Sequence, residues 1–367
     1  MNNPIILTLD AGGINFVFSA MQDGKEIVSP VRLPSEAADL KMCLGNLRDG
    51  FRAVMSRLNG TPVAISFAFP GPADYEHGII GDLPNFSSFR GGIALGAYLE
   101  NEFGIPVYIN NDGNLFAYGE AMAGLLPEVN RRLANMGSTR RYHNLIGITL
   151  GTGFGCGVVT DGTLLTGDNG AGGDVWCLRN TKYPRLIAEE SVSIRAVQRV
   201  YHELAKGGMA SRSDDELTPY DIFLIAEGER EGDAEAARRS FAELGTIAGD
   251  SIATALTLVD GLVVIGGGLA GASKYIMPSL MAALNERFGT FAGDSFPRLQ
   301  MKAYNLDDER QLGEFAHSTG HEIKVPFTDR TVVYDPCKRT GVAITRLGAS
   351  RAIALGAYYY AVNKLKQ

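Results

Sequence analysis

The run Asn110-Asn111-Asp112-Gly113-Asn114 sets one carboxylate among three side-chain amides. A carboxylate so placed can take a proton from a hydroxyl, and amides both donate to and accept from hydroxyl groups. An Asp at the start of a helix also serves as an N-cap, and the sequence leaves both readings open. Two glycine turns add a second kind of chemistry: Asp10-Ala11-Gly12-Gly13 and Gly151-Thr152-Gly153-Phe154-Gly155. Without a Cβ, successive backbone N–H groups can approach an anion. Phosphoryl transfer needs such cradles plus a base beside the attacking hydroxyl. Neither turn matches GxxxxGK[ST] or a strand–helix GxGxxG, so the usual P-loop and dinucleotide readings do not apply.

Positioning these residues requires strands that end in tight turns. Ile5 to Leu9, Val63 to Phe69, Leu145 to Leu150 and Leu262 to Ile265 are short apolar runs, and each leads into a glycine-bearing turn. The first and third continue alike: a second apolar run (Phe16-Val17-Phe18; Val158-Val159), then an Asp-Gly pair, Asp23-Gly24 and Asp161-Gly162. Asp-Gly is a strong hairpin signal. Two hairpins of one design predict a duplicated domain, with a cleft between its lobes. Apolar positions at helical spacing predict helices over 37–58, 234–258, 273–288 and 352–365, and Ile105 to Ile109 predicts a strand before a helix starting near Asp112 or Asn114. Strands alternating with helices make the chain α/β. Residues 295–346 are interrupted by polar positions and read in part as an insertion, with a strand at Thr331-Val332-Val333-Tyr334.

The 367 residues exceed what a single core usually organises, and 45% hydrophobic with 20% charged residues suits a globular enzyme. A net charge of −7 with scattered cations argues against a nucleic-acid partner; Arg131-Arg132 and Arg140-Arg141 read as solvated loops. Cys43, Cys156, Cys177 and Cys337 form no CxxC pair and predict free thiols. No secretory signal or membrane-length apolar run is visible, so the expectation is a cytoplasmic protein without a membrane partner.

In order along the chain, Asp10-Ala11-Gly12-Gly13, Phe69-Pro70-Gly71-Pro72, Leu83-Pro84-Asn85-Phe86, Asn111-Asp112-Gly113-Asn114 to Gly119-Glu120, Leu150 to Gly157, Val264 to Gly268 and Leu347-Gly348 to Gly356-Ala357 resemble the seven motifs of the ROK sugar kinases, within the actin-like hexokinase superfamily. The resemblance implies duplicated actin-like ATPase (ribonuclease H-like) domains with an interlobe cleft. It places an N-terminal lobe at 1–118, joined by helix 350–367, and a larger lobe at 119–349. It implies ATP and Mg²⁺ as cofactors and a hexose or N-acetylhexosamine as substrate, phosphorylated on a hydroxyl, expected to be the 6-hydroxyl. Asp112 would be the general base. Gly71, Asn85, Asn111, Asp174, Cys177 and Glu189 would border the sugar, with Glu190 the near alternative to Glu189. Asp10 would lie by the metal. Gly12, Gly13, Thr152 and Gly153 would hold phosphates, and Gly266 and Gly267 the adenosine. A homodimer is the family tendency.

The chain departs from that pattern in three places. Ile14 and Asn15 follow Gly13, where the family has Thr and a basic residue. Asp174 replaces a Glu in Gly170 to Cys177, and Cys177 a His. No Cys or His occurs in 178–185, where the zinc module would lie, so no zinc site is expected. Trp176 has two readings, a sugar-stacking ring or a core residue. The competing functional reading is a non-catalytic sugar-binding or regulatory relative that acts through a protein partner.

Overall fold

The computed structural model describes residues 4–83, 86–205 and 217–366. By their contacts they form two units: 1–127 with 157–173 and 346–367, and 128–156 with 174–345. The expected boundary at 118/119 falls inside a helix, and the units part instead after Pro127.

The first unit is built on a mixed sheet. Its strands are β1 (Ile6–Ala11), β2 (Asn15–Gln22), β3 (Lys25–Glu26), β4 (Val31–Pro34), β5 (Ala64–Ala68) and β6 (Val107–Asn110), in the order β3-β2-β1-β5-β6 with β4 also on β2. β1 pairs antiparallel with β2 and parallel with β5. The Asp23-Gly24 turn has positive φ at both residues, 54° and 69°, as the type I′ hairpin requires. Strand alternation puts Leu7 and Leu9 on one face and Ile6, Thr8 and Asp10 on the other. The first face meets helix α1 (Leu40–Met55), through Cys43, Leu47, Phe51 and Val54. The second meets the C-terminal helix α5 (Ala349–Lys364), where Ile6, Met21 and Ala64 pack with Leu355, Tyr358 and Ala361.

Helix α2 (Asp112–Ala123) packs on α5 with no side chains at the closest points: a Cβ on Gly119 would lie 1.9 Å from the Ala352 carbonyl, and one on Gly356 1.8 Å from that of Leu115.

The second unit carries β7 (Leu145–Leu150) and β8 (Phe154–Thr160), the latter leaving this unit along the chain at Gly157 and continuing to β9 (Thr163–Leu164). The Asp161-Gly162 turn repeats the positive φ pair, 46° and 74°. β7 pairs parallel with β10 (Leu262–Gly266), which pairs parallel with β14 (Arg339–Ile344), and β14 with β11 (Lys302–Asn305). Helices α3 (Ala234–Val259) and α4 (Ser273–Leu284) touch at Gly245 and Gly249, where added Cβ atoms would lie 2.3 Å and 2.7 Å from the Ile276 and Leu280 carbonyls.

Residues 295–346 combine sheet strands with exposed hairpins. β11 and β14 are buried sheet strands; Arg339 and Thr340 interrupt the apolar pattern, yet Arg339 is neutralised by Asp335 and Thr340 donates to the Gly261 carbonyl. The hairpin of β12 (His321–Lys324) and β13 (Thr331–Tyr334) projects, with Val333 and Tyr334 exposed, and Ser295–Pro297 forms a second exposed hairpin with Arg287–Gly289. Among the described residues no helix is long and apolar enough to cross a membrane.

Candidate active site

In the first unit, β6 delivers the chain to the start of α2. Asn111, not Asp112, is the N-cap: its Oδ1 accepts from the Asn114 amide at 2.6 Å. Asn110 Oδ1 accepts from the Asn111 amide and from Asn114 Nδ2, both at 2.9 Å. With capping assigned to its neighbour, Asp112 is left exposed on the first turn, and among the described residues its Oδ1 accepts only from the adjacent Gly113 amide at 2.9 Å.

Asp10 is exposed near the end of β1. Asp10 and Asp112 line one cavity of about 710 Å³, together with Ala11, Phe69, Pro70, Thr8 and Ser19. Gly12 and Gly13 form the turn that follows. The Gly12 amide donates to the Asn15 carbonyl at 3.0 Å, and the Gly13 carbonyl accepts from Ser35 Oγ at 2.6 Å. Ile14, in the position of the missing hydroxyl, is 81% exposed. Gly71 lies in a turn closed by Tyr75, whose hydroxyl donates to the Phe69 carbonyl at 2.9 Å. Behind that turn Phe69 stacks on Phe89 and meets Phe86 at 5.0 Å between ring centroids, an apolar backing that fixes the strand end. Asn85 lies outside the described residues.

In the second unit, Thr152 is exposed at the tip of the turn between β7 and β8. The turn is tied from the side: the Phe154 amide donates to Glu189 Oε2 at 3.0 Å, and the Ile194 amide to the Gly151 carbonyl at 2.9 Å. A Cβ on Gly153 would lie 2.7 Å from Glu189 Oε2. Glu189 and Glu190 are 3.6 Å and 3.5 Å from the Arg195 guanidinium. Gly266 ends β10 and is buried; Gly267 follows at φ +89°, where a Cβ would meet the Leu150 carbonyl at 2.3 Å. Asp174 and Cys177 are exposed about a short 3-10 turn, and Cys177 Sγ donates to the Asp174 carbonyl at 3.0 Å. Trp176 is 41% exposed, which removes its core reading. Burial pushes the Cys156 thiol up to about 12, with a smaller push from the Asp174 charge.

The sequence model of the ROK family matches residues 6–316. The chain belongs to the ROK family. This ROK protein superposes on a crystal structure described as a glucokinase from Parabacteroides distasonis with a TM-score of 0.89 and 60% identity, covering 99% of this chain and 98% of that one. It is 34% identical over 111 residues to a glucokinase of Thermotoga maritima, which is 30% of this chain and 31% of that protein. It is 27% identical over 166 residues to an N-acetyl-D-glucosamine kinase of Aliivibrio salmonicida, which is 45% of this chain and 50% of that protein. The chain thus spans half or less of the length of these two curated relatives.

Sequence reasoning missed part of the ROK protein's cavity wall: Lys25 and Glu26 after the hairpin turn, and Ser350, Arg351, Ile353 and Ala354 on α5. The hairpin turn itself was legible, so Lys25 could have been suspected. Arg351 sits in a motif whose glycines drew attention to packing, and no local signal distinguished it.

Proposed function

We propose that this chain phosphorylates a sugar hydroxyl from ATP, with glucose as the first candidate acceptor and N-acetylglucosamine as the second. The observation that carries the reading is the pair of exposed carboxylates, Asp10 and Asp112, lining one cavity at two strand ends of the first unit. Family membership and the 60% identical glucokinase support it.

Asp112, relieved of capping by Asn111, accepts the proton of the attacking hydroxyl, expected to be O6. A positioned base of this kind contributes about 10²–10⁴-fold. Asn111 keeps its Nδ2 for the sugar while its Oδ1 holds the helix. Gly71, Asn85, Asp174, Cys177 and Glu189 are the further candidates for sugar contact; Glu189 also braces the glycine turn beside it. Gly13, Thr152 and Gly153 offer backbone or hydroxyl donors to phosphate oxygens, Gly12, its amide held by the Asn15 carbonyl, gives the phosphates a border without a side chain, and Gly266 and Gly267 do the same for adenosine.

Mg²⁺ fits the donor set of the first unit. Asp10 is a hard oxygen ligand, exposed at the strand end and lining the cavity, and it would hold the ion directly or through water. When bound, the ion neutralises phosphate charge.

The test is a coupled ADP-release assay with ATP–Mg²⁺ against glucose, N-acetylglucosamine, other hexoses and no sugar, with Asp112→Asn alongside. Sugar-dependent release that falls at least ~10²-fold in the variant is expected. Silence with every sugar, while a sugar still raises the melting temperature, would mean a binding protein without chemistry.

A further inference from the structure

The 710 Å³ cavity reaches well beyond the two carboxylates. Its wall includes Gly24, Lys25 and Glu26, just past the far end of the β1–β2 hairpin. In the hairpin register Asp10 pairs with Val17 and Ile6 with Met21, so Met21 lies four residues from Asp10's level. At about 3.3 Å per residue, that is roughly 13 Å along the sheet. The cavity therefore has a carboxylate end and a hairpin end.

The C-terminal helix packs on the hairpin end and adds Arg351 to the same cavity wall. A Cβ on Gly24 would lie 3.4 Å from Leu355 and 2.9 Å from the Tyr359 hydroxyl, and the Asp23 amide donates to the Tyr358 hydroxyl at 2.9 Å. Arg351 precedes Leu355 by one helical turn on the same face. Neither the Arg351 nor the Lys25 side chain makes an ion pair or hydrogen bond among the described residues. Among the lining residues Lys25, Arg351 and Glu26 sum to one net positive charge, with Asp23 in the turn just outside the lining, whereas Asp10 and Asp112 make the other end negative.

Midway between the two ends sits Ser19, opposite Thr8 in the register. It is 5% exposed, it lines the cavity, and its Oγ has no hydrogen-bond partner. A buried hydroxyl without a partner costs free energy unless a guest or ordered water meets it. Met21, Ile353 and Ala354 supply apolar wall beside it. Two free cations match a dianion, a buried hydroxyl adds a donor, and the apolar wall suits a carbon chain.

We propose that the hairpin end of this cavity binds a phosphate monoester, at a site separate from the Asp112 end. Lys25 and Arg351 hold the phosphate, and Ser19 donates to a polar oxygen of the guest. The site concerns binding alone, so it stands or falls independently of the phosphotransferase reading.

Titration calorimetry with glycerol 3-phosphate tests it on the full chain, without nucleotide or sugar. Wild type and Asp112→Asn should bind alike, the Lys25→Met/Arg351→Met double variant at least tenfold more weakly, and Ser19→Ala a few-fold more weakly. Melting curves confirm that the variants fold; both cations are exposed, so little change is expected. No binding by wild type, equal binding by the double variant, or loss of binding in Asp112→Asn would overturn the proposal. Inorganic phosphate binding as tightly as the ester would overturn the monoester assignment.

Discussion

The segments β1–β2 and β7–β8 follow the same device, a strand, a glycine turn, a second strand and an Asp-Gly I′ turn, yet the acidic residues about their glycine turns are spent differently. In the first, the turn after β1 is closed by its own backbone and by Ser35, and Asp10 and Asp112 stay exposed in a cavity. In the second, Glu189 is drawn into the fold: it accepts the Phe154 amide and fills the space a side chain at Gly153 would need. The helix pairs differ in the same spirit. α2 and α5 each give one glycine to their contact, whereas α3 gives both of its own. The two segments share a scaffold and differ in whether the carboxylate nearest the glycine turn is left exposed, as Asp10 is, or bound to the backbone, as Glu189 is.

The sharpest way to break this contrast is to neutralise one carboxylate in each unit. Asp112→Asn should lose ~10²–10⁴-fold in turnover with an unchanged melting temperature. Glu189→Ala should do the reverse in emphasis, unfolding about 1–3 kcal/mol more easily because the buried Phe154 amide loses its acceptor. Denaturant titration and steady-state rates on the two variants decide it; a stability loss in the first without one in the second would erase the distinction.

A second comparison isolates neighbouring glycines in one turn. Gly267→Ala forces a side chain to φ +89° and ψ 169°, against the Leu150 carbonyl, and should cost roughly 2–6 kcal/mol. A Cβ on Gly268 would meet nothing within 4 Å, so Gly268→Ala should stay within about 0.5 kcal/mol by thermal melting.

The smallest effect is acid sensitivity in the second unit. Burial pushes against the Asp335 charge, but the Cys337 amide, the Thr319 hydroxyl and the Arg140 and Arg339 guanidiniums hold its carboxyl well below the usual carboxylate range. A lowered folded value means stability that is present above the unfolded carboxylate value and is lost as pH falls below about 4. Melting curves between pH 7 and pH 3 should show a steeper acid loss for wild type than for Asp335→Asn.

Much of this was readable from residues alone. The four turn-ending strands, both hairpins and helices α1 to α5 follow from apolar period and Asp-Gly chemistry, because those signals are local. The positions of Asp10 and Asp112 on strand and helix ends were legible for the same reason. What escaped was set by partners distant in sequence. Arg339 reads as surface until Asp335 neutralises it, which hid β14. Asp112 reads as a cap until Asn111 takes that role. The depth of the cavity depends on how α5 lies along the hairpin, and no window of sequence contains both.

The β12–β13 hairpin carries one last consequence. Its connecting segment is exposed, with Phe327 and Arg330 in water, while its base converges on Asp335, which Ser318, Thr319, Arg140 and Arg339 all contact. Trypsin cutting after Arg330 would therefore sever the chain without releasing either piece: the strands stay paired, the root stays clamped, and the nicked protein elutes as one particle that separates into two only in denaturant.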